Sequence, residues 1–99
     1  MKYDAQHRLN SLQEAGDDLK RNRPIYHLIR FEDEDNASAF RYEVANKGYV
    51  ISQGETKHDL MVLHVLPLDL VKLMAHAYSL ADCAKKYQGT YIDWQIYHA

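Results

Sequence analysis

The stretch Arg23-Pro24-Ile25-Tyr26-His27-Leu28-Ile29-Arg30-Phe31-Glu32 alternates in side-chain character with period two. That is the spacing of a β-strand, whose successive side chains point to opposite faces of a sheet. Ile25, His27, Ile29 and Phe31 fall on one face, and Tyr26, Leu28, Arg30 and Glu32 on the other. The second set carries polar ends, as expected where one side of an antiparallel sheet is left open. Pro24 is placed at the first residue of the strand, because proline cannot donate to a ladder. The segment is therefore a strand with a core side and a display side.

On its N-terminal side, Ala5, Leu9, Leu12 and Leu19 recur in steps suited to one helical stripe between Asp4 and Lys20. Gly16 followed by Asp17 and Asp18 ends that helix near Ala15. On the C-terminal side, the acidic run Asp33-Glu34-Asp35-Asn36 precedes a helix that buries Ala37, Phe40 and Val44 and closes at Gly48. Carboxylates favour a helix N-terminus, and Asp35 or Asn36 is expected to cap it. The run lacks the alternating ligand positions of a calcium loop. Tyr49 to Gln53 reads as a short strand, Gly54 to His58 as a hairpin loop, and Asp59 to Leu66 as a strand apolar on both faces. Pro67 stops that strand, and Asp69 caps a long helix through Tyr87. Leu68 and Leu73 are placed as a staple across the cap. The helix stripe is Leu70, Leu73, Met74, Ala77, Leu80, Ala81 and Ala84, with Gly89 as terminator. In the final strand, Thr90 to Tyr97, the alternation puts Ile92, Trp94 and Ile96 on one face and Tyr91, Asp93, Gln95 and Tyr97 on the other. Trp94 is the expected core anchor.

After the first helix the order is thus β-α-β-β-α-β, an α+β fold of ferredoxin-like type in which the first and third strands are central. Ninety-nine residues suit one domain, residues 1–99, with 1–22 a helical extension and 23–99 the ferredoxin-like core. Twelve Lys and Arg against fourteen Asp and Glu give a net charge of -2, which supplies no general attraction for nucleic acid. Cys83 is a lone cysteine, so no internal disulfide forms, and no stretch resembles a signal peptide or a membrane-spanning helix. A cytoplasmic protein without membrane association is expected.

Several short motifs accumulate along the chain: Leu12-x-x-Ala15-Gly16-Asp17-Asp18, Arg23-x-Ile25-x-His27 with Phe31, Gly48-Tyr49-Val50, and Gly89-x-Tyr91-x-x-Trp94. Together they resemble the family of regulators of ribonuclease E activity B, RraB, over nearly the whole chain. The resemblance implies a ferredoxin-like α+β fold and a protein that restrains RNA decay by binding ribonuclease E, without being a nuclease. The family often ends its last strand with Tyr-Asp-Gly-Trp where this chain has Tyr91-Ile92-Asp93-Trp94, so no turn or bulge is assigned there. Better-known members also carry an acidic C-terminal tail, whereas this sequence runs to Ala99 with a near-neutral balance.

The chemistry-bearing residues are scattered, and no catalytic residue is assigned. His27 and His64 lie on strands that should be neighbours, but the remaining ligands zinc requires are not evident. His27 is read as a hydrogen-bonded core histidine, and no metal or cofactor is expected. Tyr26 could stack a base, yet the third strand has no aromatic residue and no basic, glycine-containing run, which argues against direct RNA binding. What remains is a display surface. Met61, Leu63 and Val65 either face the helices or join Tyr26, Leu28 and Arg30 outside, and either phase leaves an apolar outer row flanked by polar residues. Tyr26, Leu28 and Arg30 are the expected partner-binding residues. The face could instead be covered by the N-terminal helix or by a second copy of the chain. A homodimeric module holding a small ligand or metal in its sheet cleft is the competing reading.

Overall fold

A computed structural model of the chain describes residues 2–96, with side chains from Ala5 onward; Tyr97, assigned above to the last strand, and Ala99 lie outside the described residues. Helix α1 (Lys2–Glu14) leads into strand β1 (Arg23–Arg30), helix α2 (Glu34–Ala45), the hairpin β2 (Val50–Gln53) and β3 (Asp59–Leu66), helix α3 (Leu70–Lys86) and strand β4 (Thr90–Ile96). The strands form an antiparallel sheet in the order β2-β3-β1-β4, so β1 and β3 are central and the ferredoxin-like α+β arrangement holds. Pro24 sits second in β1, one place later than expected, opposite Val65.

Register decides the faces. Ile25, His27, Ile29 and the following Phe31 are buried against the helices, while Tyr26, Leu28 and Arg30 turn away. Tyr26 pairs with Leu63 and Leu28 with Met61, which puts Met61, Leu63 and Val65 on the outer side and leaves Leu60 and Val62 in the core. The phase of β3 that the sequence left open is thereby resolved. In β4 the strict alternation fails. Leu28 pairs with Asp93 but Ile29 pairs with Tyr91, so Ile92 is the extra residue of a β-bulge. Ile92 is therefore pushed out to 43% exposure, and Tyr91 joins Trp94 and Ile96 on the inner side. The bulge forms here without a glycine.

The helices close the inner face in two apolar clusters. Phe40 and Val44 of α2 meet Ile29, Phe31, Leu60, Val62 and the C-terminal half of α3. Ala5 and Leu9 of α1 meet Ile25, Trp94 and the N-terminal half of α3. Trp94 is 2% exposed, and the Arg8 guanidinium of α1 lies 4.3 Å from its ring centroid while donating to the Trp94 carbonyl at 2.9 Å. Helix α1 therefore packs on the helical side of the sheet and does not cover the open face.

Two helix ends differ from expectation. Asp33 caps α2, accepting from the Asn36 amide at 2.8 Å, so Asp35 and Asn36 lie within the first turn. In that place Asp33 also spares its carboxylate for the Asn36 side chain. At the end of α3 the left-handed residue is Gln88 (φ 59°), whereas Gly89 is needed because a Cβ there would meet the Phe31 ring at 2.4 Å. Asp69 caps α3 as expected, with Leu68 and Leu73 both buried.

Candidate functional site

The open face of the sheet is built by alternation in its two central strands. Tyr26, Leu28, Met61 and Leu63 lie half-buried among one another, and Val50 and Val65, each 62% exposed, extend the apolar row toward the β2 edge. Gln95 of β4 lies opposite Tyr26 and supplies a polar border. At one end Leu28, Arg30, Ser52, Gln53, Asp59 and Met61 line a shallow depression of about 440 Å³. An apolar row with a polar rim is the make-up of a protein-binding surface.

Arg30 has a second task that the sequence did not reveal. Its Nε donates to Asp59 Oδ1 at 2.8 Å and its Nη2 to Oδ2 at 3.3 Å. Asp59 is 1% exposed and Arg30 55%, so the exposed arginine neutralises a buried carboxylate at the β1–β3 end. The hydrogen bonds from Arg30 hold the Asp59 carboxyl below its ordinary range. Tyr26, Leu28 and Arg30 thus share one face, but only the first two are free of such a role among the interactions described.

On the inner side, His27 and His64 do meet, with Nε2 to Nε2 at 2.9 Å. His27 Nδ1 lies 2.6 Å from the Tyr91 hydroxyl, and the His64 ring sits edge-on to His76 with centroids 4.4 Å apart. His76 Nδ1 in turn lies 2.7 Å from the Tyr49 hydroxyl. Burial, and then the neighbouring rings of His64 and His76, press His27 down to about 3; burial and then His76 bring His64 to about 4. These groups form a row across the sheet, and among the described residues no three His, Cys, Asp or Glu side chains are grouped to hold a metal ion. His76, Tyr49 and Tyr91 were missed by sequence reasoning. Only a helical-wheel phase placing His76 beside Leu73 and Ala77 could have signalled its inward position.

Cys83 is buried, and its thiol donates to Glu43 Oε2 at 2.6 Å. Burial followed by this contact pushes the thiol up to about 11, which keeps it protonated and unreactive. Lys86 Nζ and the Tyr87 hydroxyl donate to the same carboxylate, so Glu43 ties α2 to α3.

A protein-family model described as regulator of ribonuclease activity B, RraB, matches residues 4–96. The chain belongs to the RraB family. No curated protein matches it. RraB membership makes this a chain of a regulatory family, and the β-strands and helices of the match cover the whole described sheet. Among the described residues no helix is long and apolar enough to cross a membrane.

Proposed function

We propose that this RraB-family chain is a non-catalytic regulator that binds a protein partner through the open face of its sheet, and that the partner is ribonuclease E, whose cleavage of RNA it restrains in the cytoplasm. The observation that carries the reading is the uncovered apolar row Tyr26, Leu28, Met61 and Leu63, with Val50 and Val65 beside it. Family membership supports the regulatory role. Position supports the surface: both helical clusters and α1 occupy the other side. Interface hot spots favour tyrosine and arginine, which makes Tyr26 and Arg30 the anchors at the two ends and Leu28 the contact between them. The depression between Arg30 and Gln53 is a seat for one side chain of the partner.

The test is inhibition of purified ribonuclease E by the parent chain and by Tyr26→Ala and Leu28→Ala, each checked by chemical denaturation. Tyr26→Ala is expected to weaken binding by more than about 1 kcal/mol with the fold retained. Arg30→Ala is expected to lose both binding and stability, because it strands Asp59. Absence of any binding to the full-length endonuclease by the parent removes this partner. Full inhibition by folded Tyr26→Ala and Leu28→Ala proteins moves the contact elsewhere.

A further inference from the structure

The row Tyr91, His27, His64, His76 and Tyr49 has a position that the partner-binding reading does not use. His27 follows Ile25 of one apolar cluster and precedes Ile29 of the other, and His64 likewise separates Val62 from Leu66. In α3, His76 lies between Met74 and Ala77 of the first cluster, one turn before Leu80 of the second. The row is thus a polar seam that runs from β4 across β1 and β3 to α3 and the residue before β2, and it divides the core in two. His27 is fully buried, while His64, His76 and Tyr49 are partly exposed, so water reaches the seam from the α3 end.

The hydrogen bonds of the seam close only when its rings are neutral or nearly so. Two imidazole nitrogens facing at 2.9 Å need one donor and one acceptor. With His27 Nε2 donating to His64, His27 Nδ1 accepts from the Tyr91 hydroxyl; in the opposite tautomers His64 donates and Tyr91 accepts. One added proton can be held by this pair, since an imidazolium still donates to a neutral partner. A second places N–H against N–H between two cations. The groups acting on the rings offer no relief: from β1, β3 and α3 they are the three histidines themselves, and burial is the largest influence on each. Burial, then Asp93, holds Tyr91 on β4 neutral against the opposing pull of Arg8 from α1; Tyr49 is held neutral by burial.

We propose that this seam is a proton-operated latch: neutral, it closes β1 onto β3 and α3, and when two of its histidines take up protons it splits the core along the boundary between the two clusters. The latch is independent of which protein the open face binds. Its working range follows from linkage. The folded state binds the histidine protons more weakly than the unfolded chain, so the stability they contribute is complete above the unfolded value near 6.5. It is lost as pH falls from there toward about 4 for His64 and about 3 for His27.

Equilibrium unfolding of the parent, of His27→Gln and of the double variant His27→Gln/His64→Gln at pH 7.5 and pH 5 tests the latch. Each of the two rings, where present, should raise the unfolding constant about 30-fold between pH 7.5 and pH 5, and each substitution should remove that factor, so the parent should lose about 1,000-fold more than the double variant. An identical pH dependence in parent and double variant overturns the proposal. If the variants do not fold, the parent alone decides through its imidazole carbon-bound proton signals. Those of His27 and His64 should stay at the neutral position down to pH 5, and ordinary titration of both near 6.5 in the folded protein refutes the latch.

Discussion

Trp94 shows what a single residue contributes here. It closes the cluster between α1, β1 and α3 and is capped by Arg8, so Trp94→Ala is expected to cost about 3 to 5 kcal/mol, read from the denaturation midpoint. Gly89→Ala should also destabilise, because its Cβ would collide with Phe31, whereas a substitution of Gln88 by glycine should be neutral or stabilising at its φ of 59°. Thermal melts of the two variants separate these effects. Trp94 was legible in the sequence because a large aromatic ring on an alternating strand has one sensible side. Tyr91 and Ile92 were not, since a bulge is set by how two strands pair and leaves no mark on the alternation of one of them. Arg23 was equally hidden: a charged residue at a strand start reads as exposed, yet it is buried and donates to Asp17 at 3.0 Å.

At the level of elements, the helices hold by caps and by one carboxylate between them. Asp33→Ala should cost about 1 kcal/mol, while Asp35→Ala, within the first turn, should cost less, and guanidinium unfolding of both distinguishes the two assignments. Glu43 accepts from Cys83, Lys86 and Tyr87, in that order of effect, and these contacts hold it down at about 2. Its folded value is depressed, so the stability it contributes is present above the ordinary carboxylate range and is lost as pH falls from there toward 2. Glu43→Gln should flatten that acid limb in a pH series of melting temperatures. Element order and type could be read from the chain because each helix carries a stripe and each strand an alternation. The α2–α3 tie could not, because Glu43 and Cys83 are 40 positions apart and nothing local links them.

For the molecule as a whole, the decisive feature is asymmetry: α1, α2 and α3 all lie on one side of the sheet, and the other side keeps an apolar row. Tyr26, Leu28 and Arg30 were legible as a display face from β1 alone, whereas the outward phase of Met61, Leu63 and Val65 needed the pairing with β1, because β3 is apolar on both faces. The placement of α1 could not be read either, since its stripe fits any apolar surface. Methyl cross-saturation in the complex of the labelled chain with ribonuclease E tests the proposed surface most directly. Transfer is expected to the methyl groups of Leu28, Met61, Leu63, Val50 and Val65, with none to Val71 on the exposed side of α3. Transfer confined to Val71 and its α3 neighbours, with the sheet methyls silent, would contradict it.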